Sequence, residues 1–275
     1  MSAAVALLAV ATAAAAAGAG PPATPLRFHG EWRQGALLLG EAPPGSAIRF
    51  DGHGLDLTRD GVFVIGLDRD EPSPARIEVR TPGAPERTLE YPVAPGDWKV
   101  QRIEGLPPQQ VNPPPQVAAR IRREAAEIRT VRNSASDLTG FTQRFIWPVH
   151  GALSSVFGSQ RILNGEPKQP HYGVDLAVPS GTPVRAPADG RVSLVAQDFY
   201  FTGTTLMLDH GHGVQSVFAH LSRIEVRLGQ RVRQGQVIAL SGASGRATGP
   251  NLHWGVSWFD NHVDPAALVA RSPLR

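Results

Sequence analysis

Three histidines and one aspartate in the second half of the chain have the types and the spacing that metal chemistry requires. His171 and Asp175 lie four residues apart in the run PHYGVDLAVPSGTPV, and strand-forming residues surround the aspartate. An imidazole and a carboxylate are both ligands that Zn²⁺ accepts. By itself this pair predicts little, because a chain with nine histidines also contains such pairs by chance.

The third candidate ligand, His253, lies in the strand-like run GPNLHWG, two residues after Asn251. Residues two apart on a strand point to the same face, so both side chains would face one groove. His171, Asp175 and His253 would then supply three ligands and leave a fourth position for water, as a hydrolytic zinc requires. The alternative is an ordinary strand with one hydrogen-bonded imidazole, and the same alternative applies to His220 in VFAHLSRI.

The second half of the chain resembles the lysostaphin-type (LytM-like) zinc metallopeptidases over about residues 145 to 270. The resemblance rests on three runs in the family's order, which are WPVHGALSSVFGSQRILNGEPKQPHYGVDLAVPSGTPVRAPADGRV, LDHGHGVQSVFAHLS and LGQRVRQGQVIALSGASGRATGPNLHWGV. It implies an open antiparallel β-sheet whose groove hydrolyses peptide cross-links in bacterial peptidoglycan, with a metal-activated water as the nucleophile. It also implies that His171, Asp175 and His253 bind Zn²⁺, and that His220 assists the water or stabilises the tetrahedral intermediate.

The sequence departs from the family at Asn251, because the family pattern at this point is His-x-His and this chain has Asn251-Leu252-His253. An asparagine does not titrate near neutral pH and cannot act as an acid or a base. Its amide can still donate a hydrogen bond to a developing oxyanion, an interaction worth about 3 kcal/mol in other enzymes. We therefore expect Asn251 to be a catalytic residue that supplies a neutral hydrogen bond.

The departure leaves a second function open, that of a catalytically silent LytM-like regulator that activates cell-wall amidases. Regulators of that kind have lost several metal positions, whereas all three positions are present here. Metal binding is the property that separates the two functions.

Composition excludes several other classes of site. The chain has 275 residues and no cysteine, so it contains no disulfide, cysteine zinc site or catalytic thiol. The formal net charge is only +3. We therefore expect no nucleic acid among the partners, which would be peptidoglycan and other cell-wall enzymes.

The pattern along the chain predicts a mainly β protein with four segments. Residues 1–25 carry no charged side chain and read as a signal peptide, which predicts an exported, periplasmic or cell-envelope protein that is not an integral membrane protein after processing. Residues 26–100 read as a small β-sandwich. Residues 101–140 read as a Pro-rich linker and one helix at about 115–132, with Val117, Ile121, Ala125 and Ile128 on one face. Residues 141–275 would form the open antiparallel sheet of the peptidase domain.

Overall fold

The structure is a computed structural model that describes residues 26–105 and 113–270. The predicted signal peptide and part of the Pro-rich stretch lie outside the described residues. Within the described ranges, no helix is long and apolar enough to span a bilayer. Strands dominate these ranges, so the predicted mainly β class is confirmed.

The N-terminal part of the chain forms two small antiparallel sheets. Its strands are β1 (Arg27–His29), β2 (Leu37–Glu41), β3 (Ala47–Phe50), β4 (His53–Gly54), β5 (Val62–Gly66), β6 (Ala75–Arg80) and β7 (Arg87–Tyr91). One sheet has the order β1-β2-β5 and the other the order β4-β3-β6-β7. Buried residues of both sheets, such as Phe63 and Ile77, belong to one apolar core, as in a β-sandwich.

A helix connects the two parts. A 3₁₀ turn (Pro115–Val117) leads into α1 (Ala118–Arg132), as the sequence predicted, and the proline is tolerated because the first turn needs no donor. The predicted apolar face is wrong in one respect, since Ala125 is exposed and Glu124 is the buried residue of the helix. Glu124 can be buried because its carboxylate accepts the Tyr200 N–H at 2.7 Å and pairs with Arg120 at 2.6 Å.

Among the described residues, the C-terminal part contains thirteen strands, eight of which form one sheet. Its strands are β9 (Ala152–Ser155), β10 (Gln160–Leu163), β11 (Glu166–Pro167), β12 (Val174–Ala177), β13 (Pro183–Arg185), β14 (Gly190–Phe199), β15 (Gly203–Gly211), β16 (Val214–Leu221), β17 (Arg223–Ile224), β18 (Arg231–Val232), β19 (Val237–Leu240), β20 (Asn251–Trp258) and β21 (Asn261–Val263). The main sheet has the order β18-β14-β15-β16-β20-β12-β9, and β21 pairs with β20. A 3₁₀ turn (Gly140–Thr142) precedes the sheet, and a short helix α2 (Pro265–Ala270) follows it.

The two parts pack directly against each other. Strand β8 (Val100–Ile103) pairs in parallel with β10, with Val100 opposite Gln160. Asn261 donates from Nδ2 to the carbonyl of Gly66 at 2.9 Å. Strand β8 crosses the predicted boundary at residue 100, and the division into domains stays a prediction. The contacts nevertheless fix the N-terminal part beside the turn that precedes β10.

Candidate metal centre

Two of the predicted ligands face each other on neighbouring strands. Asp175 on β12 and His253 on β20 are partners in the antiparallel register, so their side chains leave the sheet on the same face. Asp175 Oδ1 lies 2.9 Å from His253 Nδ1. The core side of β20 holds Leu252 and Trp254, both fully buried, which confirms the predicted alternation.

The third predicted ligand approaches from the loop before β12. His171 Nε2 lies 3.1 Å from Asp175 Oδ1 and 3.0 Å from His253 Nδ1. The structure therefore brings together the three side chains that the sequence predicted as ligands, and among the described residues they form a group that can hold a metal ion. All three side chains are partly exposed, at 21%, 22% and 17% for His171, Asp175 and His253.

The geometry of these atoms fits a single zinc ion. Because the three atoms are about 3 Å apart, each lies about 1.7 Å from the centre of their triangle, and one ion can stand about 2.0–2.1 Å from all of them. His171 Nδ1 donates to the backbone carbonyl of Val156 at 3.1 Å, which places the proton on Nδ1. In the neutral imidazole the Nε2 lone pair then faces the Asp175 oxygen, an unfavourable contact unless a proton or a metal ion lies between them.

The electrostatics of the group follow from burial and from the shared carboxylate. Burial alone would lower the pKa of His171, but the hydrogen bond and the negative charge of Asp175 outweigh it and raise that pKa. Burial would raise the pKa of Asp175, yet its bonds with His171 and His253 hold it below its ordinary value. Burial outweighs Asp175 at His253 and lowers the pKa of that imidazole. Asp175 is thus ionised and His253 neutral near pH 7, the states in which both can ligate a metal.

His220 lies beside the ligand group because its backbone departs from the strand. Its neighbour Ala219 is the residue paired with His253, so in a regular strand Ala219 would share the face of His253 and His220 would point to the core. His220 instead has a φ of +62°, and its ring centroid lies 6.3 Å from that of His253. Two hydrogen bonds hold it there, from its backbone N–H to Thr202 O at 2.8 Å and from Nδ1 to Ser244 O at 2.9 Å.

Asn251 starts β20, two residues before His253 and on the same face of the strand. Its residue partner on β12 is Ala177, two pairs along from the Asp175 and His253 pair. The Oδ1 atom of Asn251 is buried and has no hydrogen-bond partner among the described residues. A buried acceptor without a partner is uncommon in native structures.

Two further histidines of this region make contacts within the fold and not with the ligand group. His210 is fully buried, with its ring nitrogens 2.8 Å from Asp189 O and 2.8 Å from Ser216 Oγ. His262 stacks on Tyr172, the residue after a predicted ligand, with 3.8 Å between the ring centroids. Neither histidine belongs to the metal-compatible group.

The residues that orient His171 could not be identified from the sequence. Val156 and Ser155 approach its Nδ1 atom through a carbonyl at 3.1 Å and a hydroxyl at 3.2 Å. Neither a backbone carbonyl nor a serine in an exposed run forms a recognisable pattern. Their contribution follows only from the way the turn after β9 folds back onto the loop that carries His171.

Comparison with known protein families finds a peptidase family whose model matches the part of the chain that contains this site. The model of peptidase family M23 matches residues 169–265, a range that contains all five predicted site residues. An uncharacterised metalloprotease of Haemophilus influenzae is 51% identical over 100 residues, which are 36% of this chain and 20% of that protein. Peptidoglycan DD-endopeptidase ShyB of Vibrio cholerae is 43% identical over 105 residues, 38% of this chain and 24% of that protein. The chain thus spans a quarter or less of the length of these curated relatives.

A solved structure matches both parts of the chain. The crystal structure of an M23 peptidase candidate from Pseudomonas aeruginosa has a TM-score of 0.69 and is 34% identical. The match covers 87% of this chain and 96% of that one, so it includes the N-terminal part as well as the sheet that carries the ligand group. The chain belongs to peptidase family M23.

Proposed function

We propose that the protein is a zinc-dependent endopeptidase that hydrolyses peptide cross-links in peptidoglycan. The observation that carries the proposal is the convergence of His171 Nε2, Asp175 Oδ1 and His253 Nδ1 to within 3.1 Å of one another beside His220. Membership of a peptidase family supports the reaction class. Relatives named peptidoglycan DD-endopeptidases, ShyB and ShyA of Vibrio cholerae, support the substrate class.

Zinc would be held by His171, Asp175 and His253. When bound, it supplies a water that ionises near neutral pH and a positive charge that polarises the scissile carbonyl. Asp175 brings one negative charge and the two imidazoles are neutral ligands, so the site keeps a net positive charge. The partial exposure of all three side chains leaves room for the peptide to approach from the groove.

His220 is suited to move the proton of the reaction. Because its Nδ1 donates to the Ser244 carbonyl, the neutral ring carries its lone pair on Nε2. No other hydrogen bond engages the ring within the described part of the chain. The Nε2 atom can accept a proton from the attacking water and return it to the amine that leaves when the peptide bond breaks. In the protonated state the same ring stabilises the negative charge on the carbonyl oxygen.

Asn251 would supply a neutral polar contact where the family pattern has a second imidazole. Its amide nitrogen can donate to the developing oxyanion. This contact moves no proton, so the proton chemistry rests on His220. The presence of all three ligand residues favours the enzyme over a silent regulator of cell-wall amidases.

A peptidoglycan substrate would require a location outside the cytoplasm. Peptidoglycan lies beyond the cytoplasmic membrane, and the uncharged segment 1–25 has the pattern of an export signal. We therefore propose a location in the periplasm or elsewhere in the cell envelope.

The test is digestion of purified peptidoglycan sacculi by the full chain, with released muropeptides identified by mass spectrometry and bound zinc by elemental analysis. We expect the wild-type protein to release fragments that lack cross-links. The His171→Ala variant should bind no zinc and release nothing, because the ligand set is incomplete. The His220→Ala variant should keep zinc but lose activity about 100-fold or more, as expected for loss of a general base. A folded, zinc-loaded wild-type protein that releases no fragments would contradict the proposal and favour the regulator.

A further inference from the structure

Arg69 is a buried cation that the proposed mechanism does not use. It lies in the N-terminal part and is only 6% exposed, although burial of a guanidinium is unfavourable without hydrogen-bond partners. Its Nε atom donates to the backbone carbonyl of Gly158 at 2.9 Å, across 89 positions of the sequence. Its Nη1 atom pairs with the exposed Asp70 at 2.6 Å. The Nε atom of Arg69 is therefore hydrogen-bonded to a turn of the C-terminal part.

That turn, residues 156–159, holds His171 at three points. The Val156 carbonyl accepts the Nδ1 proton of His171 at 3.1 Å. The Gly158 N–H donates to the carbonyl of His171 at 2.9 Å, and the N–H of His171 donates to Ser159 O at 2.8 Å. Gly158 is thus bonded through its nitrogen to the predicted ligand and through its oxygen to Arg69.

Trp98, in the N-terminal part, contacts both Arg69 and the turn. Its Nε1 atom donates to the carbonyl of Arg69 at 3.1 Å, and its ring lies 5.8 Å from the Arg69 guanidinium. The ring packs edge-on against Phe157, with 5.4 Å between centroids. Gly158 has a φ of +78°, and a methyl group on its Cα would overlap with Trp98. The turn is therefore fitted to this ring and to Arg69.

His171 is the ligand that depends most on such support. Asp175 and His253 are held by the paired strands β12 and β20, whereas His171 precedes β12 and lies outside the strands. The Val156 carbonyl, which belongs to the turn, accepts its Nδ1 proton, and the Ser155 hydroxyl lies 3.2 Å from the same atom. Groups that orient a metal ligand commonly change metal affinity by about 10- to 100-fold when they are removed.

We infer that Arg69 and Trp98 are positioning residues that hold His171 in its metal-binding orientation through the turn 156–159. The N-terminal part would then set the zinc affinity of a site whose ligands all lie in the C-terminal part. The inference rests on the proposed function only in naming zinc as the ion. It assigns to the N-terminal part a role in assembling the site.

The test is zinc affinity of the full chain, measured by competition with a chromophoric chelator, for two substitutions at position 69. In Arg69→Gln the side-chain Nε2 occupies the position of the arginine Nε and can still donate to Gly158 O. Arg69→Met has the same chain length and no donor. Both remove the pair with Asp70 and the contact of the guanidinium with Trp98. We expect Arg69→Met to weaken zinc binding about tenfold, and Arg69→Gln to retain most of the wild-type affinity.

A second readout separates positioning from general stability. In nitrogen-15 NMR spectra of the metal-free protein, Arg69→Met should shift the His171 Nδ1 resonance and Arg69→Gln should leave it close to wild type. If Arg69→Met does not fold, Trp98→Phe keeps the aromatic packing but removes the donor to Arg69 O, and it should weaken zinc binding by a smaller factor.

Two results would overturn the inference while leaving the proposed function intact. The first is a folded Arg69→Met protein that binds zinc as tightly as wild type; if Arg69→Met does not fold, the same result for Trp98→Phe counts instead. The second is an equal loss of zinc affinity in Arg69→Gln and Arg69→Met. A wild-type protein that binds no zinc would overturn the proposed function and this inference together.

Discussion

The contribution of one buried carboxyl group, that of Glu71, to the stability of the protein should fall as the pH rises from 4.5 to above 7. Glu71 is 8% exposed, and its Oε2 accepts the N–H of Asp68 at 3.1 Å. Burial, with the negative charges of Asp51 and Asp68, raises its pKa from 4.5 to about 7 against the opposing effect of that hydrogen bond. In this pH range the unfolded chain releases a proton that the folded chain retains.

The size of the effect follows from the two pKa values. The stabilisation is fully present below pH 4.5, where Glu71 is protonated in both states, and it is lost as the pH rises through the folded-state pKa of about 7. A difference of about 2.5 pKa units corresponds to roughly 3 kcal/mol in the free energy of unfolding. This is a large share of the total stability of a typical domain.

The assay is guanidinium unfolding of the wild type and of Glu71→Gln at pH 4.5 and at pH 8. Glutamine keeps an oxygen that can accept the Asp68 N–H and has no titratable proton, so comparison with it removes the contributions of all other groups. We compare the free energy of unfolding of the wild type minus that of the variant. This difference should be lower at pH 8 than at pH 4.5 by roughly 3 kcal/mol. A difference between the two proteins that is the same at both pH values would refute the reasoning.

Three further results are expected. Asn251→His should leave peptidoglycan hydrolysis unchanged or raise it, because it restores the family pattern; a large loss at unchanged zinc content would show that the amide has a dedicated role. Glu124→Ala should lower the free energy of unfolding by about 2 kcal/mol, since the Tyr200 N–H loses its acceptor, while Glu124→Gln keeps an acceptor and should lose less. Equal losses in these two variants, measured by urea unfolding, would contradict that account. Removal of metal by a chelator should abolish hydrolysis, and added Zn²⁺ should restore it; activity in protein shown by elemental analysis to be metal-free would contradict the metal requirement.

Alternation along strands made part of the site predictable from the sequence. A two-residue period puts Asn251 and His253 on one face and Leu252 and Trp254 on the other, and the structure has this arrangement. The position of the helix at 115–132 was predictable for a different reason, because proline at its start and asparagine at its end mark its limits.

Long-range contacts determine what the sequence could not show. The burial of Glu124 depends on an N–H that lies 76 positions later in the chain. The orientation of His171 depends on a turn that is itself held by Arg69, 89 positions before Gly158. Period alone would place His220 on the core face, and only its positive φ brings it to the groove. Each of these outcomes is decided by tertiary contacts that no local pattern records.

The backbone of His220 also implies a conflict between stability and activity. A residue other than glycine or asparagine in the left-handed region raises the energy of the folded state by about 1 kcal/mol or more. Selection for a more robust fold would thus favour glycine or asparagine at this position, and either would discard the imidazole. Variants recovered from a screen for thermal resistance alone should accumulate such changes at position 220. A screen that also requires cell-wall hydrolysis should retain the histidine and gain its stability elsewhere in the sheet.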